Sequence, residues 1–209
     1  MCTICMVGVI FNAFAKTSEF AKLQFGDEIF IEVPKSWQFL NENIRQHINN
    51  ATEATARLAG MPVSQKDNLI LISANTFTTH KNPSATLHLN VRPSKSMTQA
   101  DMHKLVNLTT KEIESLFGSA QELLERTYKT LEDVKSAKVL TYKIDNNKNV
   151  TCLFTENEIT KKDGLVFLTQ TWICPAGNKF VKLGTSYNKD EANIFKPVIN
   201  YVWSTLKIN

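Results

Sequence analysis

The sequence has few of the residues that break or loosen a chain. It contains seven glycines and six prolines among 209 residues, which argues against a long disordered region and against a low-complexity array. No segment repeats at a fixed period. We therefore expect one globular domain, which at this length can bury a sizeable hydrophobic core.

An excess of charge of one sign is also missing. The 24 basic and 20 acidic side chains give a net charge of +4, and the two signs are mixed along the chain. The longest basic cluster is the pair Lys161 and Lys162, and no row of arginines occurs. Since arginine is the residue best suited to read phosphates and base edges, we predict no nucleic-acid partner.

The short motifs of common active sites do not occur. The sequence contains no Gly-x-Ser-x-Gly elbow, no phosphate-binding loop and no dinucleotide fingerprint. None of its histidines has the spacing of a metal site, and we predict that they lie at the surface: His47, His80, His88 and His103. We therefore expect no enzyme activity, no cofactor and no metal. His80, beside two threonines in a polar loop, is the histidine that we expect to contact a partner.

The first 15 residues have no charged side chain. They are apolar and end in Ala13, Phe14 and Ala15, the small-x-small pattern of a signal-peptidase site, with Lys16 directly after it. The run is too short to span a bilayer, which takes roughly 20 residues, and it lacks the basic residues that usually open a signal peptide. We predict a signal peptide here, with a buried N-terminal strand or helix as the alternative.

This prediction sets the domain organisation. Residues 1–15 form the signal peptide, residues 16–24 form a polar lead-in, and residues 25–209 form a single domain. The mature protein is then periplasmic or secreted and has no stable membrane anchor once the signal is removed. If the leader is not cleaved, the protein is cytoplasmic.

Cysteines are scarce, and the predicted cleavage divides them. Cys2 and Cys5 leave with the signal peptide, so their spacing is not interpreted as a redox or zinc motif. Cys152 and Cys174 remain, on two predicted strands that are joined by the turn at Asp163. They fall nearly opposite each other if the turn centres there. Either a cross-strand disulfide or two buried free thiols fits this pattern.

Hydrophobic periodicity and turn residues predict alternating groups of strands and helices. A strand over residues 27–33, stopped by Pro34, precedes a helix over residues 44–58 and strands over residues 68–72 and 85–91. A helical stretch begins at a capping box of Thr98 and Asp101 and breaks at Gly118. Four strands and a helix around Pro197 follow, with strands over residues 139–144, 150–155, 165–174 and 180–185. Short turns force antiparallel neighbours, so we predict an α+β fold with helices covering an antiparallel sheet.

Two stretches resemble the PsbP-like superfamily, which includes the photosystem II protein PsbP, Ran-binding Mog proteins and the bacterial envelope protein DcrB. One is the strand that runs through Pro34 into Trp37, and the other is the closing segment from Tyr187 through Phe195 to Ile208. The resemblance implies an α/β/α sandwich. It also implies a non-catalytic adaptor, assembly factor or chaperone, with Pro34 structural and Trp37 packed beneath a helix.

Three functional hypotheses follow. The first is an exported, non-catalytic binding or assembly-helper protein whose partner is another protein. The second is a cytoplasmic secretion chaperone that binds apolar helices, which the cleavage-like site at residues 13–15 disfavours. The third is a hydrolase whose catalytic residues are dispersed in the sequence.

Overall fold

The computed structural model describes residues 19–25, 28–39, 70–73, 84–93, 97–129 and 131–209. The predicted signal peptide, the predicted helix over residues 44–58, His47 and His80 lie outside these ranges.

Ten strands and four α-helices lie in the described residues. The strands are β1 (Phe20–Phe25), β2 (Ile29–Pro34), β3 (Gln38–Phe39), β4 (Ile70–Ser73), β5 (Ala85–Pro93), β6 (Val134–Asn146), β7 (Thr151–Lys161), β8 (Val166–Ala176), β9 (Lys179–Asn188) and β10 (Lys207–Ile208). The helices are α1 (Gln99–Lys104), α2 (Thr110–Phe117), α3 (Ala120–Tyr128) and α4 (Ala192–Thr205).

All strand pairs among these elements are antiparallel, as predicted. The larger sheet has seven strands in the order β3-β4-β5-β9-β8-β7-β6, and the smaller sheet has the order β1-β2-β10. The four strands β6 to β9 form consecutive hairpins. The α+β architecture predicted from the sequence is therefore confirmed.

The hairpins turn where the sequence predicts. Gly164 has φ of 90°, a left-handed conformation that costs glycine little, and Asp163 Oδ1 accepts a hydrogen bond from the Leu165 N–H at 3.0 Å. In the preceding hairpin, Asn147 Oδ1 accepts from the Asn149 and Val150 N–H groups at 2.7 and 2.8 Å. These side chains stabilise turns by satisfying backbone donors.

The helices covering the β6 side begin at the predicted capping box. The Thr98 hydroxyl accepts from the Asp101 N–H, and the Asp101 carboxylate accepts from the Thr98 N–H. The predicted break also occurs, since Gly118 ends α2 with φ of 86° and Ser119 caps α3. A second break was not predicted. Thr109 and Glu112 form another capping box, so the expected single helix before Gly118 is two helices, α1 and α2.

Two other expectations are corrected by the structure. Residues 20–24 were assigned to the lead-in, but they belong to β1, which pairs along its whole length with β2. Phe20 and Leu23 of this strand also contact the core. We also expected the last helix to begin close to Pro197. It begins five residues earlier, at Ala192, so Pro197 lies in its second turn. Pro197 lacks the N–H that would donate to the carbonyl of residue 193, and the helix continues past this one missing hydrogen bond.

The two faces of the seven-stranded sheet bury separate cores. On one face, which we call the α4 face, β2 and α4 pack on the sheet, and Ile31, Ile199 and Leu206 are almost fully buried. On the opposite face, α1 packs on β7 and β8, and α2 and α3 pack on β6. Met102 of α1 and Ile113 of α2 are buried in this second core. Helices therefore cover both faces of the sheet, as the predicted sandwich requires.

Trp172 is at the centre of the α4 face. Its ring stacks on Trp203 of α4 with centroids 5.0 Å apart, and it packs against Phe154 at 4.9 Å. The buried indole N–H donates to Asp145 Oδ2 at 3.0 Å, so burial leaves no unsatisfied donor on this ring. The stack fixes α4 to the middle of the sheet.

The register of β7 and β8 brings Cys152 and Cys174 together. Leu153 lies opposite Ile173, so the two cysteines form the next pair outward. In the structure their sulfur atoms are bonded at 2.05 Å, and both side chains are fully buried in the α4-face core.

We predict that this bond stabilises the native mature protein. A cross-link between residues 22 positions apart restricts the unfolded chain and contributes about 3 kcal/mol. In a chain beginning at Lys16, a reducing agent should lower the melting temperature, whereas the double variant Cys152→Ala, Cys174→Ala should be unaffected by the reductant. Two titratable thiols in the non-reduced, denatured protein would contradict the prediction.

Candidate functional site

The outer edge of β6 is the first part of the candidate site. β6 is a terminal strand of the seven-stranded sheet and is 13 residues long. Its pairing with β7 is interrupted by a register shift between Val139 and Thr141, which leaves Leu140 as the extra residue of a bulge. Such bulges protect sheet edges and occur beside functional sites.

Side chains from α2 and α3 bind the backbone of this edge. Gln121 Oε1 accepts from the Val139 N–H at 2.8 Å, and Gln121 Nε2 donates to the Ala137 carbonyl at 3.2 Å. One amide thus makes the two contacts that a neighbouring strand would make. Thr110 Oγ1 donates to the Tyr142 carbonyl at 3.2 Å, so the edge is held on both sides of the bulge.

A cleft of about 510 Å³ opens between these helices and the bulge. Its lining combines polar and apolar side chains: Thr110, Glu114, Gln121, Val139, Leu140, Thr141, Tyr142 and Lys143. Leu140 is 43% exposed. Burial raises the pKa of Tyr142, and the negative charge of Glu114 raises it further, so this phenol stays protonated at physiological pH. None of the residues that line the cleft is a histidine or a cysteine.

A row of four polar side chains runs from the cleft into the α4 face. The register places Thr141 opposite Glu156, Glu156 opposite Gln170, and Gln170 opposite Thr185. Directly opposite residues of antiparallel strands project to the same face, so the four residues cross β6, β7, β8 and β9 in one line. We call this line the polar row. Thr141 belongs to both the cleft and the polar row.

The inner end of the polar row is buried. Gln170 and Thr185 are 4% and 2% exposed, and the neighbouring Tyr187 on β9 is fully buried. Gln170 Nε2 donates to Glu156 Oε1 at 2.8 Å. Gln170 Oε1, Thr185 Oγ1 and the Tyr187 hydroxyl have no hydrogen-bond partner among the described residues. Burial raises the pKa of Tyr187 to about 12, with a smaller contribution from the charge of Glu156.

Aromatic residues lie beside this buried end, and they come from the two stretches of sequence on which the PsbP-like resemblance rests. The Tyr187 ring centroid is 6.5 Å from that of Phe195 in α4, and Phe195 is 6.3 Å from Trp37 in an edge-on contact. Trp37 is half-buried against the core. Pro34 ends β2, and its carbonyl accepts from the Trp37 N–H at 3.1 Å, which fixes the approach of Trp37 to α4.

The described histidines differ in their surroundings. His103 is exposed, and its Nδ1 lies 3.3 Å from Thr151 Oγ1. We predicted that His88 lies at the surface, and it is half-buried, lying opposite Gly184 on β9. Its ring occupies the space over that glycine, where an added Cβ would lie 2.0 Å from Nε2. Burial, together with the charge of Lys182, lowers the pKa of His88 to about 3, so it is neutral at physiological pH.

Sequence reasoning missed the polar row, although a signal was present. In β8, Leu168, Trp172 and Cys174 alternate as core-facing residues, and Gln170 interrupts that series. In β9, Thr185 likewise stands between Leu183 and Tyr187. A polar residue at a core-facing position requires a partner, so both interruptions point to a buried polar site. Which residues lie opposite Gln170 and Thr185 depends on the register of the strands, and the pattern within a single strand does not specify that register.

The described residues contain no group of three or more metal-ligating side chains. No helix among them is long and apolar enough to cross a membrane.

Comparisons with known proteins identify the fold. No family model matches the sequence, and no curated protein does. The solution structure of cyanobacterial PsbP (CyanoP) from Synechocystis matches with a TM-score of 0.56 and 10% identity, covering 100% of this chain and 99% of that one.

Two other solved structures are less similar. They are LpqN of Mycobacterium tuberculosis, which is involved in cell envelope biogenesis (TM-score 0.48, 13% identity, 91% of this chain and 90% of that one), and the Ran-binding protein Mog1p of Saccharomyces cerevisiae (TM-score 0.44, 9% identity, 90% and 95%). The chain has the PsbP-like fold expected from its two ends.

Proposed function

We propose that this PsbP-like chain is an exported, non-catalytic binding or assembly-helper protein that holds a segment of another protein in the cleft at β6. The observation that carries the proposal is the cleft itself. It combines a sheet edge, exposed apolar surface and polar groups, which are the features of a site that takes an extended protein segment.

The lining of the cleft favours binding over catalysis. Val139, Leu140 and Tyr142 supply apolar surface, and Glu114 and Lys143 supply one charge of each sign. A hydrolase needs a nucleophile beside a base that is oriented by a third group, and the lining side chains do not make that arrangement. This argues against the hydrolase hypothesis at this cleft. Gln121 already binds the backbone of Ala137 and Val139. The bulge at Leu140 therefore remains accessible to a partner.

Two features support export over the cytoplasmic chaperone hypothesis. The first is the uncharged leader with Ala13 and Ala15 at the small positions of a cleavage site. The second is the pairing of Cys152 with Cys174, since disulfides persist in oxidising compartments and are rare in the cytosol.

We predict that a photoreactive side chain at Leu140 captures a protein partner in the cells that make this chain. The matched control is Leu123 on α3, which is 49% exposed but does not line the cleft. The captured protein should be identified by mass spectrometry, and a Glu114→Arg substitution should remove its cross-link to position 140, because Glu114 of α2 lines the cleft and a longer side chain of opposite charge would obstruct it. Equal capture at positions 140 and 123, or capture that survives Glu114→Arg, would contradict a partner site at β6.

Export makes a separate prediction. N-terminal sequencing of the protein from its own cells should give a first residue of Lys16. Replacing Ala15 with Arg should block cleavage because signal peptidase requires a small residue there, whereas Phe14→Leu should not. A mature protein that begins at Met1 would overturn the exported location and leave the cleft proposal to the cross-linking result.

A further inference from the structure

The buried end of the polar row has hydrogen-bonding capacity that the protein does not use. Within the part of the chain that the structure describes, Gln170 Oε1, Thr185 Oγ1 and the Tyr187 hydroxyl all lack a partner. Gln170 and Thr185 are directly opposite each other, and Tyr187 follows two residues after Thr185 on the same face. Buried polar groups in native proteins are nearly always paired, so three neighbouring exceptions call for an explanation beyond packing.

The chemistry of these groups selects the ligand. The hydrogen bond from Gln170 Nε2 to Glu156 Oε1 at 2.8 Å uses one N–H of that amide and directs its nitrogen toward Glu156, which leaves the amide oxygen as an acceptor for a ligand. The two hydroxyls can also accept. Glu156 contributes a carboxylate, and it takes part in none of the ion pairs among the described residues. The group of atoms therefore favours a ligand that carries N–H donors and a positive charge, and it repels an anion.

We propose that Glu156, Gln170, Thr185 and Tyr187 form a binding site for a primary ammonium group. An ammonium has three N–H donors and one positive charge. These match three unpartnered oxygens and one carboxylate. A guanidinium, with five donors in a rigid plane, has more donors than these unpartnered oxygens can accept. The neighbouring rings of Tyr187 and Phe195 are compatible with a cation, which aromatic faces attract.

The polar row also supplies a route to the site. Thr141, which lines the cleft, lies opposite the half-buried Glu156. A ligand that approaches from the β6 edge of the α4 face therefore meets the carboxylate first and the buried oxygens next. The ammonium group has two sources, a small free amine or the lysine side chain of a bound protein. The site rests on its own atoms and does not depend on the proposed partner at β6.

The test is a titration of the mature protein, followed by NMR of the Gln170, Thr185 and Tyr187 amides. The probes are methylammonium, N-acetyl-lysine methylamide and tetramethylammonium, each as the chloride. Methylammonium should shift the three resonances saturably, and tetramethylammonium, which has no N–H donor, should not. Tighter binding of N-acetyl-lysine methylamide would assign the site to a lysine side chain, and binding of methylammonium alone would assign it to a small amine.

Matched variants test the carboxylate. Glu156→Gln should lower the affinity at least tenfold, because it removes the charge and keeps the shape. Glu158→Gln should leave the affinity within twofold, since Glu158 is on the same face of the same strand but is already paired with Lys189 at 2.6 Å. Thr185→Val gives a second test at a residue that carries no charge and should also weaken binding.

Four results would each overturn the proposal. They are no saturable shift with either amine, an equal response to tetramethylammonium, an affinity unchanged by Glu156→Gln, and full affinity retained in Thr185→Val. None of these results bears on the cross-linking experiment at Leu140, so failure of one proposal can be distinguished from failure of the other.

Discussion

The register of the hairpins from β6 to β9 is the constraint on which the rest of the structure depends. A shift of one residue in any of these pairings would exchange the two faces of a strand. With the observed register, Trp172 meets Trp203 of α4, Cys152 meets Cys174, and Glu156 meets Gln170. Packing, cross-link and polar row are therefore three consequences of one alignment. The bulge at Leu140 is part of this alignment. Because Leu140 is an extra residue, Thr141 takes the position opposite Glu156.

The α4 face combines two environments within one sheet. Around Trp172 the face is apolar and is covered by α4. The indole N–H of Trp172 is satisfied because it donates to Asp145. Two residue pairs further along, at Gln170 and Thr185, the same face buries polar oxygens instead. A fold that needed only stability would replace them by apolar residues of similar size, since unpaired buried polar groups cost about 1–3 kcal/mol each. Their presence is the physical reason for assigning a binding role to this part of the sheet.

Much of the fold could be predicted from local patterns. The Asp163 and Gly164 turn, the capping box at Thr98 and the break at Gly118 depend on neighbouring residues only, and the structure has all three. The capping box at Thr109 was available from the same rule but was hidden by the apolar periodicity that continues across it. His88 was misjudged because its environment is set by Gly184, which lies 96 residues away in sequence (184 − 88 = 96) and meets it only through the pairing of β5 and β9. The cleft and the polar row were missed for the same reason. They are made from residues of different strands and helices, and the sequence does not specify which ones meet.

The state of Tyr187 tests the central claim most directly, because its hydroxyl reports both the burial and the charge of the polar row. In the folded protein, the pKa of Tyr187 should be about 12, measured from the ¹³Cζ chemical shift of labelled tyrosine, whereas in the urea-unfolded chain it should be near 10. In Glu156→Gln the pKa should fall but stay above the unfolded value, because burial is the larger cause. A pKa near 10 in the folded protein would show that Tyr187 is solvated and would contradict the buried polar row.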